Sequence, residues 1–247
     1  MATILITGGS RGIGAAAARM AAARGHDVAI SYATNATAAG RVVETCRAAG
    51  RAALAVQADV AREGDVLHLF ERAAGELGPL DAVVVNAGIV TPISPLADMG
   101  AERMQRVVDV NVVGALLTAR EAVRAMATDR GGQGGTIVVV SSAASRLGSP
   151  NEFIDYAATK GAVDTMTIGL AKEVGPLGIR VLGIRPGLID TDIHADAGFP
   201  DRVEHLAPNV PMQRGGTAEE VAEVILWGVS DAASYVSGAL IDVAGGR

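Results

Sequence analysis

The opening stretch restricts the fold more than any other part of the chain. Thr3-Ile4-Leu5-Ile6 reads as a short buried strand. Thr7-Gly8-Gly9-Ser10-Arg11-Gly12-Ile13-Gly14 follows without a break, and an Ala-rich helical pattern runs from Ala15 to Arg24. A strand that passes through a Gly-rich turn into a helix start presents free backbone N–H groups and the positive helix end to an anion. Glycine permits the turn and removes the Cβ that would hold a pyrophosphate away. The spacing is Gly8-x3-Gly12-x-Gly14, not G-x-G-x-x-G.

Strand and helix patterns then alternate to the end of the chain, which predicts an α/β fold with a parallel sheet. The second strand, Val28–Tyr32, ends in Ser31-Tyr32-Ala33-Thr34-Asn35, with no acid to hold a ribose 2′-hydroxyl; Asp27 precedes the strand, at the wrong end. Arg11 in the turn is placed to meet a 2′-phosphate, so NADP is expected over NAD. Helix Ala36–Ala49 leads to strand Ala53–Gln57 and then Ala58-Asp59-Val60, where Asp59 is a candidate acceptor for an adenine amino group. An N-cap for a helix from Ala61 is a compatible alternative. Strand Asp81–Val85 is a continuous apolar run ending in Asn86-Ala87-Gly88: Asn86 can bridge adjacent loops, and Gly88 allows close approach to a ligand.

Helix Glu102–Thr128 carries Asn111 on its inner stretch, a poor interior helix residue that reads either as a satisfied buried amide or as a water-holding group. A flexible Gly131–Gly135 loop leads to strand Thr136–Val140, with Ser141 and Ser142 at its ligand end. Helix Ile154–Val174 and strand Arg180–Arg185 follow, the latter running into Pro186-Gly187-Leu188-Ile189-Asp190-Thr191. Residues from about 190 to 216, with Pro200, Pro208 and Pro211 and no long periodicity, read as a lid over the substrate. Asp190, Asp192, His194 and Asp196 lie there without a second ligand cluster, so no metal is expected. Helix Ala218–Gly228 and strand Ala239–Val243 close the sheet.

Chemistry concentrates on Tyr156 and Lys160, four residues apart in a segment without proline and therefore on one helix face. A phenol ordinarily ionises near pH ~10. An ammonium at ~4 Å, in an effective dielectric of ~20, favours the phenolate by roughly 4 kcal/mol. That is about three pKa units, enough to bring the phenol toward useful proton transfer. Of 21 basic residues only Lys160 and Lys172 are lysine, and all the others are arginine. A chain that uses Arg almost everywhere has kept a tunable amine at position 160.

A length of 247 residues with no linker or repeat fits one domain, 1–247, with a sizeable core. No apolar run reaches the ~18–20 residues of a membrane span. Strand-like sequence begins at Thr3 without a basic n-region, so no secretory leader is expected. The one cysteine, Cys46, excludes an internal disulfide and suits a reducing, cytoplasmic setting. A net charge of −6 and a pI near 5.2 argue against nucleic acid or an anionic membrane as the main partner.

Taken in order, Thr7-Gly8-x3-Gly12-Ile13-Gly14, Asp59, Asn86-Ala87-Gly88, Asn111, Ser142, Tyr156-x3-Lys160 and Pro186-Gly187 make the chain resemble the short-chain dehydrogenase/reductase family over its full length. The resemblance implies a single-domain Rossmann-type three-layer sandwich, a seven-stranded parallel sheet in order 3-2-1-4-5-6-7, and a nicotinamide cofactor. It assigns Tyr156 as general acid/base, Ser142 as the carbonyl-holding hydroxyl, Lys160 as the group that lowers the Tyr pKa and binds the nicotinamide ribose, and Asn111 as holder of a proton-relay water. Cofactor contacts fall to Gly8, Ser10, Arg11, Gly12, Ile13, Gly14, Tyr32, Asp59, Val60, Asn86, Ala87, Gly88, Tyr156, Lys160, Pro186, Gly187, Ile189 and Thr191, with Ile189 and Thr191 at the carboxamide. Homotetramers or homodimers are implied as well. The Ser142–Tyr156 interval is one residue longer than is commonest in the family, the extra residue falling in Gly148–Ile154 beside the substrate; Ser141 is the alternative serine.

The function expected is NADP-dependent (NAD possible) hydride transfer between nicotinamide and a carbonyl or alcohol. A catalytically inactive NADP-binding regulator would show a broken Ser/Tyr/Lys set, and a methyltransferase of related fold would not need the Tyr–Lys pair.

Overall fold

The computed structural model describes residues 2–247, and seven strands run through them: β1 (Thr3–Ile6), β2 (Asp27–Tyr32), β3 (Ala53–Gln57), β4 (Ala82–Val85), β5 (Gly135–Val140), β6 (Ile179–Pro186) and β7 (Leu240–Val243). They form one sheet in the order β3-β2-β1-β4-β5-β6-β7, with every neighbouring pair parallel. The order reverses between β1 and β4, which opens a crevice beyond the C-terminal ends of those strands.

Successive residues of a strand face opposite sides, and the two cores divide accordingly. Ile4 and Ile6 of β1, with Val28, Ile30, Val84 and Val138, pack on α1 (Gly12–Ala23), α2 (Ala36–Ala48) and α10 (Ala218–Val229). Leu5, with Ala29, Val83, Val85 and Val139, packs on α3 (Glu63–Leu77), α5 (Gly114–Met126) and α7 (Ile154–Val174). Helix α1 lies against α10, and its Ala15–Ala18, Ala21 and Ala22 are none more than 2% exposed, so small side chains let its neighbours approach closely.

Three readings of the sequence change. The expected helix 102–128 is α4 (Ala101–Val108), a π turn (Asp109–Val113) and α5, so Asn111 sits in a one-residue widening of the helix. Helix α3 begins at Glu63 with Arg62 at its N-cap; Asp59 accepts from the Ala61 N–H at 3.1 Å and closes a turn instead of capping the helix. The Gly131–Gly135 loop is packed: a Cβ at Gly132 would lie 2.3 Å from the Met126 carbonyl. Between Leu188 and Gly216 the chain is pinched by an Ile189–Gly216 bridge. The loop beyond holds α8 (Ile193–Asp196) and α9 (Arg202–Leu206), and the short α6 (Ala144–Leu147) follows β5.

Candidate active site

The Gly-rich turn is braced from both neighbouring strands. Asn86, just past β4, donates its Nδ2 to the Thr7 and Gly8 carbonyls at 2.8 and 3.1 Å, and the Thr7 hydroxyl accepts the N–H groups of Asn86 and Ala87. The Gly8 N–H donates to Ser31 Oγ at the end of β2. Gly8 and Gly12 have φ of +66° and +52°, which favours glycine at both. A Cβ at Gly14 would stand 2.5 Å from the Gly8 carbonyl oxygen and 2.6 Å from Asn86 Nδ2. No side chain caps α1, and its first turn holds no acid, so the helix leaves its positive end open. This cradle fits a pyrophosphate: uncapped N–H groups line one end of a cleft of about 840 Å³ that takes in Gly8, Ser10, Arg11, Gly12, Ile13 and Gly14.

Tyr32, Asp59 and Val60 line the same cleft. Asp59 gives one oxygen to Ala61 N–H and the other to Arg106 at 3.0 Å, so its carboxylate is engaged on both sides. Arg11 is half-exposed and ion-paired with Asp196 of α8. Asn86, Ala87 and Gly88 form the middle of the cleft; Pro186, Gly187, Ile189 and Thr191 form the opposite rim. His194 places Nε2 on the Ile189 carbonyl at 2.8 Å. Among the described residues no three His, Cys, Asp or Glu side chains gather as a metal site.

Helix α7 carries the Tyr–Lys face. Arg103 of α4 holds Asp155 at 2.9 Å, fixing the first turn. Tyr156 lines the cleft, and burial pushes its phenol up to about 12, with a hydrogen bond from the Ser142 hydroxyl pulling the other way. Lys160 is 5% exposed; it donates Nζ to the Val140 carbonyl at 2.8 Å and lies 5.5 Å from the centre of the Tyr156 ring. Burial drags the amine down to about 8, opposed by the Asp164 carboxylate one turn along. This differs from the expectation of an ammonium that brings the phenol toward neutrality: here desolvation of both groups outweighs attraction between them. Of the two serines, Ser141 Oγ is buried and donates to the Lys160 carbonyl, whereas Ser142 is the one bonded to the phenol.

Asn111 is a satisfied amide. Its Oδ1 accepts the Ile89 N–H at 2.8 Å, and its Nδ2 donates to the Ile89 carbonyl and to Thr159 Oγ1. A Cβ at Gly88 would lie 3.3 Å from Asn111 Oδ1 and 3.6 Å from Lys160 Nζ, so the three residues share one spot. Thr159, which sequence reasoning passed over, donates to the Tyr156 carbonyl at 2.7 Å and links Asn111 to α7. Asp164 was missed too: it is held by Arg185 Nε and Nη2 at 3.0 and 2.8 Å. The signal for it was available, an acid four residues beyond Lys160 by the same helical spacing.

A doubly wound parallel sheet, an open helix N-terminus at its switch point, and a Ser–Tyr–Lys wall in one cleft define a nicotinamide-nucleotide oxidoreductase fold. Comparison with known proteins agrees. Residues 8–247 match the family model described as enoyl-(acyl carrier protein) reductase. An uncharacterised oxidoreductase of Escherichia coli K12, YgfF, is 51% identical over 247 residues, the whole of both chains. A solved short-chain dehydrogenase of Burkholderia cenocepacia in complex with NADP superposes with a TM-score of 0.90 at 34% identity, covering 98% of this chain and 96% of that one. A 3-ketoacyl-(acyl-carrier-protein) reductase of Brucella melitensis complexed with NADH gives 0.91 at 32%, covering 100% and 98%. The chain belongs to the short-chain dehydrogenase/reductase family and is an NAD(P)-dependent oxidoreductase. No helix among the described residues is long and apolar enough to cross a membrane.

Proposed function

We propose that the protein interconverts a carbonyl and an alcohol with NADP as the preferred cofactor, and that Tyr156 moves the proton. The observation that carries this reading is the placement of Ser142, Tyr156 and Lys160 in the cleft whose other end is the Cβ-free anion cradle. A bound nicotinamide nucleotide supplies or accepts the hydride. The backbone of the turn with Ser10, Gly12, Ile13 and Gly14 holds the pyrophosphate. Tyr32, Asp59 and Val60 flank the adenosine, Asn86–Gly88 with Lys160 the nicotinamide ribose, and Pro186, Gly187, Ile189 and Thr191 the carboxamide. Arg11 takes the 2′-phosphate: an exposed ion pair such as the one it makes with Asp196 is weak, and no acid stands at the ligand end of β2 to favour the free hydroxyl.

Ser142 donates to the substrate oxygen and orients it toward the phenol. Tyr156, held protonated through the neutral range by its burial, is ready as the acid of the reductive direction. Lys160 steadies the charge that grows on the phenol oxygen as the proton leaves. Asn111 retains one lone pair on Oδ1 beyond its bond to Ile89, a place for the water that returns the proton from solvent. The segment from about 190 to 216 acts as the substrate lid of a single catalytic domain. Exposed Val108 of α4, Val113 of the π turn, Leu116 of α5 and Ile168 of α7 support a homodimer or homotetramer, and the single cysteine, Cys46, suits a cytoplasmic setting.

The test is Tyr156→Phe. It removes the proton donor and keeps the ring, so turnover falls by about 10²–10⁴-fold while NADPH binding, followed by nucleotide fluorescence, stays close to wild type. A variant with full activity refutes the assignment.

A further inference from the structure

Three ion pairs fasten the lid to the body, and they differ in kind. Arg11–Asp196 and Arg214–Glu220 lie half in solvent. Arg202, the first residue of α9, is 8% exposed and grips Glu152 with both ends of its guanidinium: Nη1 to Oε1 at 2.8 Å and Nη2 to Oε2 at 2.6 Å. Its guanidinium carbon also sits 5.2 Å from the centre of the Phe153 ring. A planar fork fixed on one side by a carboxylate and stacked on an aromatic ring has little freedom left. Arg202, Glu152 and Phe153 all line the cleft that holds Ser142 and Tyr156.

The loop that presents Glu152 is strained for the purpose. Ser149 and Asn151 take φ of +44° and +63°, and neither is glycine. The Ser149 carbonyl accepts the N–H groups of Glu152 and Phe153 at 3.3 and 3.1 Å, while the Glu152 carbonyl accepts from Ser94 N–H. Left-handed conformations at such residues persist where their surroundings hold them, and they gather at ligand clamps. Glu152 stands two residues ahead of α7 and Arg202 opens α9, and the hydrogen bonds of the pair join these two segments.

We infer that Glu152 and Arg202 form a positioning pair that fixes the lid against the start of α7 and thereby sets the shape, and so the selectivity, of the substrate end of the cleft. The selectivity half rests on the oxidoreductase reading above; the anchoring half does not. Breaking the pair at Glu152, whose side chain is 31% exposed, leaves the buried Arg202 guanidinium without its partner, whereas replacing both by neutral side chains leaves no charge behind. The pair acts through the lid, so its loss weakens substrate binding and spares the proton-transfer step.

The experiment takes the full-length protein as wild type, Glu152→Gln, and the double variant Glu152→Gln/Arg202→Gln. It measures amide hydrogen exchange over residues 190–216, together with kcat and KM for a carbonyl and for NADPH. Expected for Glu152→Gln is exchange in the lid faster by about ten-fold with the sheet unchanged. Its carbonyl KM rises by about ten-fold, with kcat and the NADPH KM within about two-fold of wild type. If the single variant does not fold, the double variant carries the same expectations. Lid exchange equal to wild type in a folded variant overturns the anchoring, and so does a loss confined to kcat. Equal losses in both KM values overturn the selectivity. A wild-type protein that turns over no carbonyl instead sinks the oxidoreductase reading, and the exchange result stands apart from it.

Discussion

One substitution, Gly→Ala inside a helix, has opposite consequences at two positions of this chain. Gly40 lies within α2, and a Cβ there would meet nothing within 4 Å. Alanine then contributes its helix propensity and restricts the unfolded chain, a gain of about 0.5–1 kcal/mol. Gly14 lies in the first turn of α1, where the new Cβ would fall 2.5 Å from the Gly8 carbonyl oxygen. Ordinary contact begins near ~3.5 Å, so the turn must yield by about 1 Å. The same Cβ would be 2.6 Å from Asn86 Nδ2, and the yielding group is therefore the one that braces the turn through Thr7 and Gly8. Overpacking costs about 1–3 kcal/mol, and the two amide bonds are worth about 1 kcal/mol each. Against a propensity gain of about 1 kcal/mol, the net loss is about 2–4 kcal/mol. At about 2–4 °C per kcal/mol for a chain of this size, Gly40→Ala melts about 1–4 °C higher and Gly14→Ala about 4–16 °C lower. Calorimetry without nucleotide reads both, and a 2′,5′-ADP titration reads the cradle, which only Gly14→Ala damages. A Gly14→Ala protein that melts at or above wild type refutes the reasoning.

Two further outcomes follow from the charges in the cleft. The drop of the Lys160 amine from 10.5 to about 8 is an unfavourable burial of about 3 kcal/mol, partly offset by its bond to Val140, so Lys160→Met is as stable as wild type or more so at pH 7 while its turnover collapses. Because the unfolded chain holds that proton up to 10.5 and the folded one releases it near 8, wild-type stability rises relative to Lys160→Met between pH 8 and 10 in denaturant titrations; a flat difference counts against the buried ammonium. Arg11→Ala removes the cation opposite a 2′-phosphate: NADPH efficiency falls by about ten-fold or more, NADH efficiency changes little, and equal losses with both nucleotides argue against the NADP preference.

The parallel sheet and its ligand edge were legible because each strand is a short apolar run that stops at a chemically marked residue: Ile6 at Thr7-Gly8, Val85 at Asn86, Val140 at Ser141-Ser142, Pro186 at Gly187. What stayed hidden depends on contacts between distant segments. The π turn at Asn111 follows from a helical residue whose amide is bonded to Ile89, 22 positions away, and no local propensity encodes that. For Asp59, read as an adenine acceptor with an N-cap as the compatible alternative, local sequence could not show that Arg106, 47 positions on, takes its second oxygen. The grip of Arg202 on Glu152 spans 50 positions and two irregular segments, where periodicity offers no guide.

The Tyr–Lys pair was found by its spacing, but its electrostatics run against the simplest account. Were the amine to lower the phenol's pKa strongly at rest, a phenolate would be present before substrate arrived, and the proton for reduction would already be lost. With the phenol near 12 and the amine near 8, the state at pH 7 is an intact hydroxyl beside an ammonium. Their interaction is small until negative charge develops on the phenol oxygen. With the 5.5 Å to the ring centre as the length scale and an effective dielectric of about 20, a full charge there gains about 3 kcal/mol from Lys160. That gain belongs to the transition state and to the charged product of proton transfer, not to the resting enzyme, and it is worth about a hundred-fold in rate. Burial of the lysine thus lowers the stability of the folded chain so that its charge acts only while the proton moves.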